Sequence, residues 1–176
     1  MQQGLMSELD AVNKILAVAG DAPVQTLEDE YVQAKLARQI LHRISRDVQS
    51  VGYWFNEEEG VRLLPNIDKY IFLPKNVISC VVLDDNGSVV QRGEQLYDRF
   101  NRTYEFKKHV EVKMILMLEW SELPQVARAV IVDKACIQYN NDFFGAQDVK
   151  QRLERNEAES MLRLTEEDTQ ARDVNI

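Results

Sequence analysis

Two stretches near the amino end place apolar residues three or four positions apart, the spacing of an amphipathic helix. The residues that follow this spacing are Leu9, Val12, Leu16, Ala19, Ala37, Ile40, Leu41, Ile44, Val48 and Val51. Ser7 with Asp10, and Thr26 with Asp29, have the form of a capping box, which satisfies backbone amides at the start of a helix. The sequence therefore predicts two helices, one beginning after Ser7 and the other after Thr26.

The pattern changes between residues 53 and 119, where short runs rich in β-branched and aromatic residues replace the helical spacing. The runs are 53–55, 61–64, 70–73, 77–83, 88–92, 103–106 and 110–118. Asp85-Asn86-Gly87 lies between two of them and is typical of a tight hairpin turn, because Asn-Gly tolerates positive φ angles. The pattern predicts one small antiparallel sheet of about five strands.

Helical spacing returns after Pro124, which suits the first position of a helix because proline has no amide hydrogen to leave unpaired. Residues 126–139 are apolar on most sides, as expected for the central helix of a bundle, and the segment 140–145 should end it. The segment 147–169 is strongly charged, and its apolar residues are Val149, Leu153, Met161, Leu162 and Leu164. Such a helix either lies on the surface with a narrow apolar stripe or completes its contacts with another chain.

These patterns together predict an α+β fold: a bundle of about four helices with a small antiparallel β-sheet inserted between the second and third helices. The first part of the bundle is expected at 7–52, the inserted β domain at 53–119 and the second part of the bundle at 120–170. Residues 171–176 are expected to form a flexible tail.

Charge and composition narrow the function classes. The chain has 21 Lys and Arg against 29 Asp and Glu, a net charge of −8, which argues against nonspecific binding of nucleic acid. Neither a spanning apolar run of about 20 residues nor the pattern of a signal peptide is present, so no membrane role is expected. Cys80 and Cys136 lie in segments predicted to be buried, as free cysteines in a reducing cytoplasm.

The sequence offers little material for catalysis. His42 and His109 are the only histidines, and neither has a cysteine or a second histidine at metal-ligand spacing. The common phosphate-binding and hydrolase motifs are missing from the sequence. We therefore expect no catalytic residue, no cofactor and no metal ligand.

The run Glu57-Glu58-Glu59 is the one dense group of carboxylates. A glycosidase needs two carboxyls about 5–10 Å apart on opposite sides of a bond, an arrangement that consecutive residues in a turn rarely give. We interpret the run as an acidic loop that faces solvent or another subunit. A glycan hydrolase that uses these glutamates is the alternative.

Arg38, His42, Arg43 and Arg46 form a basic strip beside the apolar stripe of the second predicted helix. Three interpretations stay open: a DNA contact, an ion-paired face towards a neighbouring subunit, or a solvated surface.

Several segments, taken in order, resemble a known family. They are SELDAVNKIL at 7–16 with Gly20, PVQTLE at 23–28, RQIL at 38–41, QSVGYWFNEEEG at 49–60, LLP at 63–65, YDR at 97–99, WSELP at 120–124, KA at 134–135 and YNNDFFGA at 139–146. Their order and spacing resemble the tail tubular protein A family, the head-to-tail adaptors of T7-like short-tailed bacteriophages (podoviruses). The resemblance runs from about residue 7 to residue 165, and it departs from the family in the predicted sheet and at the carboxy end.

The resemblance implies a structural virion protein without enzymatic activity, assembled in the host cytoplasm and located in the short tail. Such proteins form a dodecameric ring that joins the portal protein to the tail nozzle, tail tubular protein B, and helps to anchor tail fibres. Double-stranded DNA passes through the ring without specific binding.

Candidate interface residues follow from this implied ring. Those for contacts with subunits or partners are Arg38, Arg43, Arg46, Phe143, Phe144 and Leu153. For Phe143 and Phe144, a plug at the end of a helix is the simpler interpretation and a ring interface the second. Glu57, Glu58 and Glu59, together with the last helix, are candidates for acids that line the channel and repel phosphate.

Overall fold

The computed structural model describes residues 4–28, 30–83 and 87–173. The chain divides into two compact units, one made of Met1–Val48 with Glu119–Ile176 (the helical unit) and the other of Gln49–Leu118 (the β unit). That these units are separate domains, with the boundaries expected from the sequence, stays a prediction. Asp29 of the second predicted cap and Asp85-Asn86 of the predicted hairpin turn lie outside the described residues.

The described residues form four α-helices and five strands, which confirms the predicted mixed fold. The helices are α1 (Glu8–Val18), α2 (Val32–Gln49), α3 (Gln125–Phe143) and α4 (Gln147–Asp173), with a short 3₁₀ helix at Trp120–Glu122. The strands are β1 (Glu57–Leu63), β2 (Val77–Val82), β3 (Val89–Arg92), β4 (Gln95–Asp98) and β5 (Val110–Leu116).

The predicted start of α1 is confirmed, and that of α2 is wrong. Ser7 accepts a hydrogen bond from the Asp10 amide, and the Asp10 carboxylate accepts one from the Ser7 amide, which completes the capping box. Helix α2 begins only at Val32, and not after Thr26. Before this start, the Asn13 side chain bonds both the amide and the carbonyl of buried Val24, at 2.8 and 3.0 Å, and holds Val24 along α1.

Helix α3 lies at the centre of the helical unit, as its apolar sequence predicts. Its buried residues are Ala127, Arg128, Val130, Ile131, Val132, Asp133, Ala135, Cys136, Tyr139 and Asn140. Pro124 precedes the helix as its cap, with an extended backbone (ψ 156°), and is not the first helical residue. Gly145 ends the helix with φ +64°, and its amide donates to the Asn140 carbonyl at 2.7 Å.

Helix α4 packs on α3 through a narrow stripe in which Leu153, Ser160 and Leu164 are buried. The Lys134 ammonium of α3 and the Glu157 carboxylate of α4 form an ion pair of 2.7 Å beside this stripe. The helix extends to Asp173, and the flexible tail expected at 171–176 stays a prediction. Residues 174–176 lie outside the described chain.

The β unit has five strands but two sheets, and not the single sheet predicted. Strands β1, β5 and β2 form an antiparallel sheet in that order, and β3 pairs with β4 in a second one. The runs 70–73 and 103–106 make only isolated bridges, and strand β4 was missed. The run 53–55 forms a turn instead of a strand, because the Tyr53 amide donates to the Asn56 side chain at 2.9 Å. The buried core of the unit is Ile71, Leu73, Leu96, Phe106, Val112 and Met114.

Both cysteines are free thiols, and only Cys136 is fully buried. Burial raises the pKa of Cys136 to about 12 and that of half-buried Cys80 to about 11. Both thiols are therefore protonated near neutral pH and are weak nucleophiles.

Replacing Gly145 by valine should lower the free energy of unfolding by about 1–2 kcal/mol, because a β-branched residue is strained at positive φ. A Cβ atom at this position meets no other atom within 4 Å, so the cost comes from the backbone alone. Gly145→Asn is the matched control and should lose less, since asparagine tolerates this conformation. Chemical denaturation measures both values, and a valine variant as stable as the wild type would contradict the assignment.

Candidate functional site

The exposed face of α2 carries most of the basic strip that the sequence predicted. The basic and amide residues exposed on it recur at helical spacing as Lys35, Gln39, His42, Arg43 and Arg46, and they are called the α2 basic face below; Val32 and Asp47 of the helix are exposed as well. The opposite face is buried at Ala34, Ala37, Ile40, Leu41, Ser45 and Val48. The amphipathic pattern of α2 thus presents cations on one side and packs the other.

Two residues of the strip are held by α1. The Glu8 carboxylate accepts a hydrogen bond from the Arg38 Nε at 2.7 Å, and the same oxygen lies 2.8 Å from the His42 Nε2. The side chain of Glu8 is only 19% exposed, whereas those of Arg38 and His42 are 41% and 58% exposed. Arg38 therefore links α1 and α2 within the chain. To contact DNA or another subunit, its guanidinium would have to exchange or share its hydrogen bond to Glu8.

The contacts of Glu8 change its pKa. Burial raises the pKa of this carboxyl, but hydrogen bonds from His42 and Arg38 outweigh burial and leave the pKa below its ordinary value of 4.5. The carboxylate is therefore charged near neutral pH and contributes to the α1–α2 contact.

Arg43 and Arg46 are exposed, and among the described residues the structure records no ion pair for either. Arg43 borders a cleft of about 290 Å³ where α2 meets the end of α3. The other lining residues are Leu36, Gln39, Ile40, Asp142 and Phe143. The cleft thus combines an apolar floor with a cation at its rim.

Phe143 and Phe144 stand at the end of α3, where the sequence placed them. Their ring centroids lie 4.9 and 6.2 Å from that of buried Tyr139, yet the two residues are 47% and 53% exposed. They cover Tyr139 on one side and leave the other side open. Their place at an interface stays a prediction, and the exposure of both rings is compatible with it.

Leu153 does not belong with these surface residues. It is 5% exposed and lies in the stripe by which α4 packs on α3. Its own chain already buries most of this side chain, and the expectation that it contacts a neighbouring subunit stays a prediction.

The glutamates 57–59 form part of strand β1, so the predicted acidic loop is wrong. Lys113 of β5 lies 2.9 Å from Glu57 and 3.6 Å from Glu59, and it neutralises part of their charge. Glu58 points to the other face of the strand and is exposed. The glycan hydrolase hypothesis loses its geometric basis, since the carboxylates alternate between faces and two of them share one lysine.

Some structural residues were not identified from the sequence. Arg128 is 4% exposed within α3, and its guanidinium donates to the carbonyls of Met6, Ser121 and Leu123 at 2.8, 3.0 and 2.9 Å. Trp120 also donates to Met6, at 3.0 Å. An arginine inside a helix predicted to be buried on most sides is the signal that could have identified this contact, because buried charge requires hydrogen-bond partners.

Two further properties of the described residues bear on the class of site. They contain no group of three or more His, Cys, Asp or Glu side chains placed to hold a metal ion. No helix within the described ranges is long and apolar enough to cross a membrane.

Comparison with known proteins decides the family. The sequence pattern of the family described as "Tail tubular protein" matches residues 9–174. "Tail tubular protein A" of Klebsiella phage KP34 is 31% identical over 141 residues, which cover 80% of this chain and 75% of that protein. This chain belongs to the tail tubular protein family.

Membership in this family confirms the resemblance seen in the sequence. A tail tubular protein is a structural component of a bacteriophage tail, so this chain is a virion protein that assembles with other tail components. The family is one of structural tail proteins, and that this chain has no enzymatic activity stays a prediction.

The Glu8 contact predicts a pH dependence. A carboxyl whose pKa is lowered by folding stabilises the folded state above its ordinary pKa of 4.5, and this stabilisation disappears as the pH falls through the lowered value. The difference in unfolding free energy between wild type and Glu8→Gln should therefore be full above about pH 5 and shrink below it. Denaturant titrations across this range measure it.

Arg38→Gln provides the control, because removing one partner of Glu8 should reduce the pH-dependent difference. A difference that stays constant from neutral pH into acid would show that Glu8 does not stabilise the fold through its charge.

Proposed function

We propose that this chain is the subunit of a dodecameric head-to-tail adaptor ring, which joins the portal to the tail nozzle and extends the channel for DNA ejection. The observation that carries the proposal is the family match over residues 9–174, which includes the whole helical scaffold from α1 to α4. Tail fibres are a further partner of the proposed ring.

The surface of the helical unit supports a role in assembly. A ring of identical subunits needs two different surfaces on each chain, because head-to-tail contacts join one face of a copy to another face of the next. The α2 basic face, with its cleft and the half-exposed Phe143, supplies one surface of the kind that interfaces use. Half-exposed aromatics beside unpaired arginines are typical anchors of such contacts.

The acidity of the chain supports passage of DNA without capture. Twelve copies of a chain with charge −8 carry 12 × −8 = −96 in formal charge, and such a field repels phosphate wherever it reaches the channel. Glu58 is the strongest candidate among the three glutamates, since Glu57 and Glu59 already pair with Lys113. We propose that Glu58 faces the channel of the ring.

Native mass spectrometry of the purified chain with its portal tests the ring. We expect a complex that contains twelve copies of this chain for each portal, because the proposed contacts close only as a full ring. The chain without portal is the control for self-assembly. A chain that stays monomeric and never joins the portal would contradict the proposed function.

The channel assignment has a separate test. Glu58→Lys should slow the release of DNA from assembled particles, because a ring of twelve added cations would attract phosphate. Glu58→Gln removes charge without reversing it and should change the rate less. If particles with Glu58→Lys assemble normally and release DNA at the wild-type rate, Glu58 does not line the channel.

A further inference from the structure

Helix α4 presents a long face that its own chain leaves uncovered. The helix has 27 residues, a length of about 40 Å, and within it only Leu153, Ser160 and Leu164 are buried. The residues on the opposite side are exposed from one end of the helix to the other. A long helix with so narrow a buried stripe has surface available for a partner.

Leu162 lies near the middle of this uncovered side. It is 60% exposed, whereas Leu164, two positions later and on the other side of the helix, is completely buried. Glu159 and Glu166, three residues before and four residues after Leu162, share its side of the helix and are exposed. Among the described residues no ion pair is recorded for either glutamate. The three residues are called the α4 acidic face below.

The α4 acidic face is complementary to the α2 basic face. Helix α2 contains four Lys or Arg and one Asp, 4 − 1 = +3, and helix α4 contains five Lys or Arg and eight Asp or Glu, 5 − 8 = −3. One surface carries exposed Leu162 between two carboxylates, with Arg155 exposed on the same side. The other carries a cleft lined by apolar side chains together with Arg43 and Asp142, and Arg46 lies about one turn further along α2. The two helices therefore differ in the sign of their net charge, and the exposed leucine of one matches the apolar lining of the cleft on the other.

We propose that in the assembled ring the α4 acidic face of one copy docks on the α2 basic face of the next. Leu162 enters the cleft that Leu36, Ile40 and Phe143 line, and the flanking carboxylates face Arg43 and Arg46. The occupant is a second copy of this chain, and the inference rests on the proposed ring function.

The charges explain why the contact would be head to tail. Two α2 basic faces, or two α4 acidic faces, would bring like charges together, which disfavours a symmetric dimer. Pairing unlike faces leaves one α2 face and one α4 face free at the ends of every open chain. Addition continues until the ring closes.

Cysteine cross-linking on the portal complex tests the contact directly. A variant with both Gln39→Cys and Leu162→Cys, in a Cys80→Ser background, should give a ladder of covalent multimers with a short bismaleimide reagent. The single variants are the matched controls and should give none, because a head-to-tail contact places residue 39 against 162 and not against its own copy.

The outcomes separate the two proposals. A closed ring by native mass spectrometry without a ladder from the double variant would overturn the α2–α4 contact and leave the adaptor function standing. A wild-type chain that forms no ring would overturn both.

Charge reversal gives an independent measurement. Arg43→Glu with Arg46→Glu, and separately Glu159→Arg with Glu166→Arg, should each lower ring assembly roughly tenfold, and the four changes together should restore it. Lys107→Glu with Lys108→Glu makes the same change in net charge on the exposed surface of the β unit and should have no effect. Assembly that is unchanged in either reversed pair, or not restored in the combination, would contradict the contact.

Discussion

The β unit is inserted between two helices of the sequence, and side-chain hydrogen bonds hold its two ends together. Gln49 and Asn56 make that connection within the unit. The Gln49 side chain donates to the Leu118 carbonyl at 3.2 Å and accepts from the Leu118 amide at 2.8 Å. Asn56 donates to the carbonyls of Gln49 and Leu116 at 2.9 and 2.8 Å. Both side chains are almost completely buried, so losing either would leave backbone groups without partners in a site closed to water. Asn56 also accepts a hydrogen bond from the Tyr53 amide, so one side chain joins the turn before β1 to the end of β5.

In the helical unit, α3 is covered by its neighbours, whereas α2 and α4 each have one exposed face. The buried charges are satisfied within the chain: Asp133 by Lys14 at 2.7 Å, and Arg128 by three carbonyls. The charges on the open faces of α2 and α4 differ in sign. A structural subunit needs paired charges in its interior, because its own fold must be stable. It also needs exposed charged faces that can bind another subunit. Membership in the tail tubular protein family agrees with a chain that presents oppositely charged helical faces on its surface.

Local signals in the sequence predicted much of the fold, and long-range contacts account for the errors. The capping box at Ser7, the apolar character of α3 and the number of helices depend on neighbouring residues, and they were predicted correctly. The contact of Asn13 with Val24, eleven residues away, and the two-sheet arrangement depend on pairings that no local pattern encodes. Among the candidate site residues, Phe143 and Phe144 contact Tyr139 at the end of α3, as the plug interpretation expected, but about half of each side chain is exposed. The burial of Leu153 and the pairing of two glutamates with Lys113 required the tertiary structure.

A closed ring in which unlike helical faces meet would be visible in a density map of the portal-bound assembly, obtained by electron cryomicroscopy. We expect twelve copies around the channel, with α4 of each copy against α2 of the next and Leu162 in the cleft beside Arg43. A map in which the copies form no closed ring, or in which the outer face of α4 meets only solvent, would contradict this expectation.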